Sequence, residues 1–200
     1  MTEKPIIGII QCNKLAKYAD AIQQAGGDVQ PLPHVDTPWE IAEQVNQCDG
    51  ILLPGGADFV PSDNKHSLAS QEVQSHYNGL IYATMATKKP LLGICLGFQA
   101  IALKHYCPFI ADMETCGDEG IHNHKKNKTG DYDHEIVIPV GSPLRSIFLK
   151  DKILVNCNHH QAIRELCKPF IPAAYSLGDN IIEAGCLPNL DEHFVVGIQW

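Results

Sequence analysis

"KPLLGICLGFQA", Lys89–Ala100, decides how the rest of this chain is read. It passes from an apolar, strand-like run, "PLLGI", into a run with helical spacing, "LGFQAIALKHY", and a single thiol, Cys95, stands at the junction. Gly93 and Gly97 flank that thiol two residues away on either side. A sharp strand-to-helix turn strains its apex residue and crowds the residues two before and two after it, so these must be small. This is nucleophile-elbow geometry, written with Cys at the apex. The apex lies at a helix N-terminus, where unpaired N–H groups and the macrodipole favour a thiolate. The N–H of Leu96 is then placed to meet a carbonyl oxygen as it becomes negative, one half of an oxyanion hole.

Working outward, the same alternation recurs. "IIGII" (Ile6–Ile10) is a short β-branched run of the kind buried on both faces of a sheet. "AKYADAIQQAGG" follows with Ala16, Ala19, Ile22 and Ala25 at helical spacing and Gly26-Gly27 as its stop. "DVQPLP" reads as a second strand, "PWEIAEQVNQC" as a helix with Pro38 just inside its start, and "GILLP" (Gly50–Pro54) as a third strand. A long helix over about Gln71–Lys88 precedes the Cys95 elbow. Strand–helix alternation at this spacing predicts right-handed βαβ units and a parallel sheet covered by helices on both faces. Functional residues are then expected at the C-terminal ends of the strands.

The second half changes character. "HEIVIPV", "KILVN", "FIPAAYSL", "NIIEAGCL" and "HFVVGIQW" are strand-like runs separated by turn residues, with a short helical turn near Ser142–Phe148. The expectation is an α/β, flavodoxin-like three-layer sandwich, its mainly parallel central sheet extended by antiparallel strands toward the C-terminus. No linker or repeat divides the chain, so residues 1–200 are read as a single domain.

The third strand ends in Pro54-Gly55-Gly56. Pro followed by Gly suits a type II turn, and Gly56 lets a backbone N–H approach a ligand without a side chain intervening. By itself such a turn is an ordinary tight turn, and a lone G-x-C-x-G is as often a buried structural thiol. Together, at neighbouring ends of a parallel sheet, the two point to an acyl-transfer site.

Bulk properties narrow the partners. A net charge of −8 argues against nucleic acid and against an anionic membrane surface. No segment is long and apolar enough to span a bilayer, and no signal-peptide core is present. The cytoplasm is therefore expected, with the eight cysteines reduced and no CxxC pair among them. The basic run "HKKNKTG" (His124–Gly130) reads as a solvated loop. Cys116, His122 and His124 have metal-ligand chemistry but sit in a Gly/Asn/Lys-rich loop, so no metal and no cofactor is expected.

These residues resemble the class I glutamine amidotransferase-like superfamily, and within it the γ-glutamyl peptidase branch exemplified by γ-glutamyl-γ-aminobutyrate hydrolases. The likeness runs through "KPIIGI", "YADAIQQAGGDVQPLP", "CDGILLPGGADFVPS", "KPLLGICLGFQAI", His134, "VNCNHHQAI", "IIEA" and "FVVGIQW". It implies Cys95 as nucleophile, Gly56 and Leu96 as oxyanion-hole amides, and a small-molecule γ-glutamyl substrate. Gly55, Gln99, His159, His160 and Gln161 would line the substrate pocket, the last three largely through main chain. Without the resemblance, His159-His160 reads as a polar loop. Loops Asp58–Ser70 and Cys116–Asp133 would select the leaving amine. A homodimer is compatible with the sequence.

The family's GxQWHPE motif supplies the base histidine and the carboxylate that orients it. Here the last four residues are Gly197-Ile198-Gln199-Trp200. Three explanations stay open: a natural chain that continues past Trp200, a pseudoenzyme that binds γ-glutamyl compounds without turnover, or rescue of the base by His159 or His160. A glutaminase subunit serving a synthase is the rival enzymatic reading.

Overall fold

The computed structural model describes residues 3–61, 67–118, 120–121, 124 and 133–200. Residues 125–130 of the basic run and His122 lie outside these, as do parts of both proposed amine-selecting loops.

Five parallel strands form one half of a nine-stranded sheet: β1 (Ile6–Ile10), β2 (Asp28–Leu32), β3 (Gly50–Leu53), β4 (Leu91–Ile94) and β11 (Val195–Ile198). β10 (Ile182–Cys186), β9 (Ile171–Ser176), β6 (Asp133–Val137) and β7 (Lys152–Asn156) continue it as an antiparallel extension. The order is β2-β1-β3-β4-β11-β10-β9-β6-β7. The fold is thus the α/β, flavodoxin-like arrangement expected from the alternation, with the chain reversing direction across the sheet between β1 and β3. Right-handed crossovers place α1 (Leu15–Gln24) on one face and α2 (Pro38–Asn46), α3 (Gln71–Ala86) and α4 (Leu96–Lys104) on the other.

The helices form where caps and apolar stripes coincide. Thr37 caps α2 by accepting from the Glu40 N–H, Glu40 reaches back to the Thr37 N–H, and Pro38 occupies the first turn. The apolar stripes of α2, α3 and α4 pack on the sheet in one core that includes Ile41, Val45, Leu80, Phe98 and Ile101. A second core on the opposite face gathers Ile136, Val155, Ala174, Val196 and the small helix α5 (Arg145–Phe148) through Phe148. Burial of the Ile, Val, Leu and Phe side chains among these contributes roughly 1.5–3 kcal/mol each to folding.

Three helices end in one way. The residue after the C-cap turns left-handed, and two backbone amides reach back to satisfy orphan carbonyls: Gly26 and Gly27 after α1, Lys88 and Lys89 after α3, Tyr106 and Cys107 after α4. Only the first carries glycine. The other two stop two residues short of the stretches expected from apolar spacing, because φ of 52° at Lys88 and 57° at Tyr106 takes the chain out of the helix.

A separate two-stranded sheet, β5 (Phe109–Ile110) with β8 (Ala162–Ile163), was not legible as strands. It fixes the segment just after Gln161 against the loop that follows α4, and the Met113 N–H donates to the His160 carbonyl beside it at 2.8 Å.

Candidate active site

β4 delivers Cys95 and α4 carries the chain away from it. Cys95 has φ 51° and ψ −105°, a conformation that costs a non-glycine residue on the order of 1–3 kcal/mol. Its neighbours hold it there. The Cys95 N–H extends the β4–β11 ladder by donating to the Ile198 carbonyl at 2.7 Å, and its own carbonyl accepts the Gln99 N–H, which opens the helix. The two flanking glycines are required for clearance. A Cβ on Gly93 would lie 2.7 Å from the Gly97 backbone, and one on Gly97 would lie 2.1 Å from the Leu53 carbonyl oxygen. The ring of Phe98 lies directly over Gly197 of β11 and Gly185 of β10, which locks α4 to the sheet just behind the turn.

β3 runs beside β4, so the Pro54-Gly55-Gly56 turn faces the elbow. Two tyrosines clamp it. Tyr77 donates its hydroxyl to the Pro54 carbonyl at 3.0 Å, and the Tyr18 hydroxyl accepts the Gly55 N–H at 3.1 Å. A Cβ at Gly55 would rest 3.5 Å from the Cys95 Cβ, and one at Gly56 would press within 2.9 Å of the Leu96 side chain. The two turns are thus in contact, with Gly56 and Leu96 side by side.

Between them opens a pocket of about 230 Å³ lined by Gly56, Asp58, Cys95, Gln99 and the His159–Gln161 segment. The structure therefore gathers Gly55, Gly56, Cys95, Leu96, Gln99, His159, His160 and Gln161 in one place. Gln99 is buried, and its amide donates to the Gln161 carbonyl and to Gln199 Oε1, both at 3.2 Å. Gln199 in turn donates to the Cys95 sulfur at 3.5 Å, the sulfur's side-chain hydrogen bond among the described residues. His160 Nε2 pairs with Asp58 Oδ2 at 3.0 Å, and the Gln161 amide is held by the Val60 and Ala111 carbonyls.

The thiol itself departs from expectation. Cys95 is only partly exposed, and burial pushes the pKa of its thiol up to about 11. The Leu96 N–H and Lys14 oppose that rise, while the negative charges of Glu183 and Asp58 add to it. Helix N-terminus and amide are present, as read from sequence, but desolvation outweighs them and the neutral thiol prevails at neutral pH. The sulfur needs a proton acceptor, or a substrate that remakes its surroundings, before it attacks.

A second polar cluster backs the pocket wall. Glu183 on β10 is fully buried, and its Oε1 lies 2.9 Å from His124 Nδ1, 3.2 Å from His134 Nε2 and 3.4 Å from His159 Nε2. The backbone joins it to the site, since the Gln199 N–H donates to the Glu183 carbonyl at 2.8 Å. Burial works against charge on His124, but Asp179 and Glu183 outweigh it and lift its pKa to about 9. Burial likewise opposes charge on Glu183, and the three imidazoles hold its carboxyl far below the usual range. His124 thus belongs with residues from β10 and the segment after β7, while Cys116 turns its thiol to the Met113 carbonyl at 3.4 Å. Sequence reading missed Tyr18, Tyr77, Asp58 and Gln199 as site residues. Two of these had a signal: Asp58 opens the Asp58–Ser70 loop read as amine-selecting, and Gln199 stands in the Gly197–Trp200 motif stretch.

A parallel sheet that presents a strained thiol at one strand end and a glycine turn at the next defines the class I glutamine amidotransferase-like architecture. The Peptidase C26 family matches residues 3–200, and the chain belongs to that family. Among curated relatives, the glutamine amidotransferase-like protein YvdE of Lactococcus lactis subsp. lactis is 27% identical over 189 residues, covering 92% of this chain and 77% of its own length. The γ-glutamyl hydrolase of Mus musculus is 29% identical over 118 residues, covering 51% of this chain and 35% of its own length. Among solved structures, a glutamine amidotransferase from Thermotoga maritima superposes with a TM-score of 0.66 at 13% identity, covering 99% of this chain and 76% of that one. No helix among the described residues is long and apolar enough to cross a membrane.

Proposed function

We propose that this chain is a cysteine-dependent hydrolase that cleaves γ-glutamyl amides through a glutamyl-thioester, built as one glutamine amidotransferase-like domain. The observation that carries the reading is the strained Cys95 held against the Gly55–Gly56 turn at the mouth of a small polar pocket. The sulfur attacks the γ-carbonyl carbon, and the oxygen that becomes negative is met by the Leu96 and Gly56 N–H groups. The amine departs with a proton, and water then cleaves the thioester to release glutamate and restore the thiol. Gln99, His159, His160 and Gln161 surround the glutamyl group, and the Asp58 carboxylate on the same wall suits its α-ammonium. The likeness to mouse γ-glutamyl hydrolase supports the choice of bond. Eight free cysteines, four of them buried, suit a reducing cytoplasm.

One observation favours a second reading. The sulfur's hydrogen bond comes from an amide, Gln199, and its pKa is raised. A protein that binds γ-glutamyl compounds, and turns them over slowly or not at all, would have such a thiol. Amine release from a γ-glutamyl anilide and ammonia release from glutamine separate the cases. The hydrolase reading expects release from the anilide that disappears in Cys95→Ala. Equal release by Cys95→Ala overturns it, tight binding with no release supports the binder, and a strong preference for glutamine points to a glutaminase subunit.

A further inference from the structure

We infer that Cys107 and Cys167 are a redox pair, which a hydroperoxide joins in a reversible disulfide that fastens the β5–β8 sheet beside the pocket. The two lie 60 positions apart in sequence, yet each sulfur rests on backbone at the other. The Cys167 N–H donates to the Cys107 sulfur at 3.1 Å, and the Cys167 thiol donates to the carbonyl of Tyr106, the residue before Cys107, at 3.8 Å. The two thiols also share a hydrogen bond. A disulfide demands such closeness, because its bridge spans only about 4.4–6.8 Å between Cα atoms.

The fold holds the pair together without the bond. Cys107 follows the left-handed end of α4, where its N–H donates to the Ala102 carbonyl, and the chain then enters β5. Cys167 follows β8, and between the strand and the cysteine the Arg164 N–H donates to the Pro108 carbonyl at 2.8 Å. The two backbones already run side by side, so closing the bond asks for movement of two side chains. Exposure assigns their roles. Cys167 is partly exposed, whereas Cys107 is 5% exposed. Burial raises the Cys107 pKa, the Cys167 N–H opposes that rise, and the Cys167 thiol adds to it. Cys107 therefore keeps its proton and acts second, while Cys167 meets the oxidant.

The chemistry takes two steps and one oxidant, hydrogen peroxide in the simplest case. The Cys167 sulfur, as thiolate, attacks one peroxide oxygen; the O–O bond breaks, a sulfenic acid forms, and hydroxide leaves to become water. The Cys107 sulfur, giving up its proton, then attacks the sulfenic sulfur; the S–O bond breaks, the S–S bond forms, and a second water departs. Two thiols and one peroxide thus yield one disulfide and two waters, and a thiol reductant reverses the change. The bond ties β8, which follows directly on the pocket residues His160 and Gln161, to the segment that leaves α4. Cys95 takes no part, so this inference stands apart from the hydrolase reading.

The test uses the full 200-residue chain, fully reduced and then treated with hydrogen peroxide in modest excess. Remaining thiols are blocked with N-ethylmaleimide in denaturant, and the unreduced digest is mapped by mass spectrometry. The peptides carrying Cys107 and Cys167 should appear joined, as the predominant disulfide, and separate on treatment with dithiothreitol. Before denaturation the oxidised chain should melt about 5–10 °C above the reduced one, as expected for a bridge that closes a long loop in native geometry. Cys107→Ser and Cys167→Ser should each lose the joined peptides and the shift. Cys116→Ser and Cys95→Ala should keep both, which separates failure of this pair from failure of the hydrolase. Maleimide on both Cys107 and Cys167 after peroxide treatment overturns the inference, as does a sulfinic acid on Cys167 with Cys107 left as a thiol. A joined pair that lowers the melting point overturns it too, because the bond would then form only in an opened chain.

Discussion

The side-chain amide of Gln199 donates to the sulfur of Cys95 at 3.5 Å while its oxygen accepts from Gln99, so the residue just after β11 reaches across the elbow and holds the thiol in a chain of amides. A donor aimed at sulfur favours the thiolate over the thiol. Replacing it with an isostere that cannot donate, Gln199→Leu, should slow alkylation of Cys95 by iodoacetamide about three- to tenfold at pH 8, within the range of a weak charge-assisted hydrogen bond. Site-resolved mass spectrometry reads this directly, and unchanged alkylation would show that the contact has no electrostatic consequence.

Burial places the Cys95 pKa at about 11. The reactive thiolate is then a minor species at neutral pH, and its fraction grows about tenfold for each unit of pH below that value. Alkylation of Cys95 should therefore rise log-linearly from pH 7 to pH 9, without the plateau of an acidic thiol. A plateau near pH 7 would mean that the helix N-terminus and the Leu96 amide outweigh desolvation.

Strain at the elbow is measurable by comparing two variants that both lack the sulfur. At φ 51° glycine is at ease and alanine is not. Cys95→Gly should be more stable than Cys95→Ala by about 1–2 kcal/mol, or about 3–6 °C in thermal midpoint. The opposite order would mean that the turn relaxes when the sulfur is removed. By contrast Gly97→Ala, whose added carbon would meet the Leu53 carbonyl oxygen, should destabilise by about 3 kcal/mol or more.

How much of this was legible follows from where the information resides. The parallel half of the sheet was readable because β1, β3 and β4 are short apolar runs divided by helical spacing, a local signal. The elbow was readable because clearance between β4 and α4 demands glycine at 93 and 97. The ends of α3 and α4 were not, because Lys88 and Tyr106 adopt the left-handed cap without glycine to advertise it. The two-residue strands β5 and β8 are too short to show a period. The Glu183 cluster was hidden for a different reason: its members lie up to 59 positions apart in sequence, from 124 to 183, and only the antiparallel extension folds them together. The thiol's acidity was misjudged because sequence shows the helix start but not the desolvation around it.

The protein should also carry a histidine-dependent loss of stability in mild acid. His76 is 2% exposed, its Nε2 pairs with Gln44 Oε1 at 2.9 Å, and burial, with His34 beside it, lowers its pKa from 6.5 to about 4. Between those values the unfolded chain binds a proton at this position and the folded chain does not, so stability is complete above pH 6.5 and falls as pH drops toward 4. The loss should reach about 2–3 kcal/mol. Urea unfolding at pH 7.5, 6, 5 and 4.2 measures it, and His76→Gln should have a flatter profile than wild type across this window. Parallel profiles would show that His76 is charged in the fold.

The account turns on Cys95 as the atom that takes the glutamyl group. Incubating the full chain with a γ-glutamyl anilide, quenching in acid and mapping the digest by mass spectrometry tests this most directly. A glutamyl thioester on the peptide containing Cys95, formed in step with the released anilide product and absent from Cys95→Ala, is the predicted result. Anilide product released by wild type and Cys95→Ala alike, or a glutamyl group found on another residue, would contradict it.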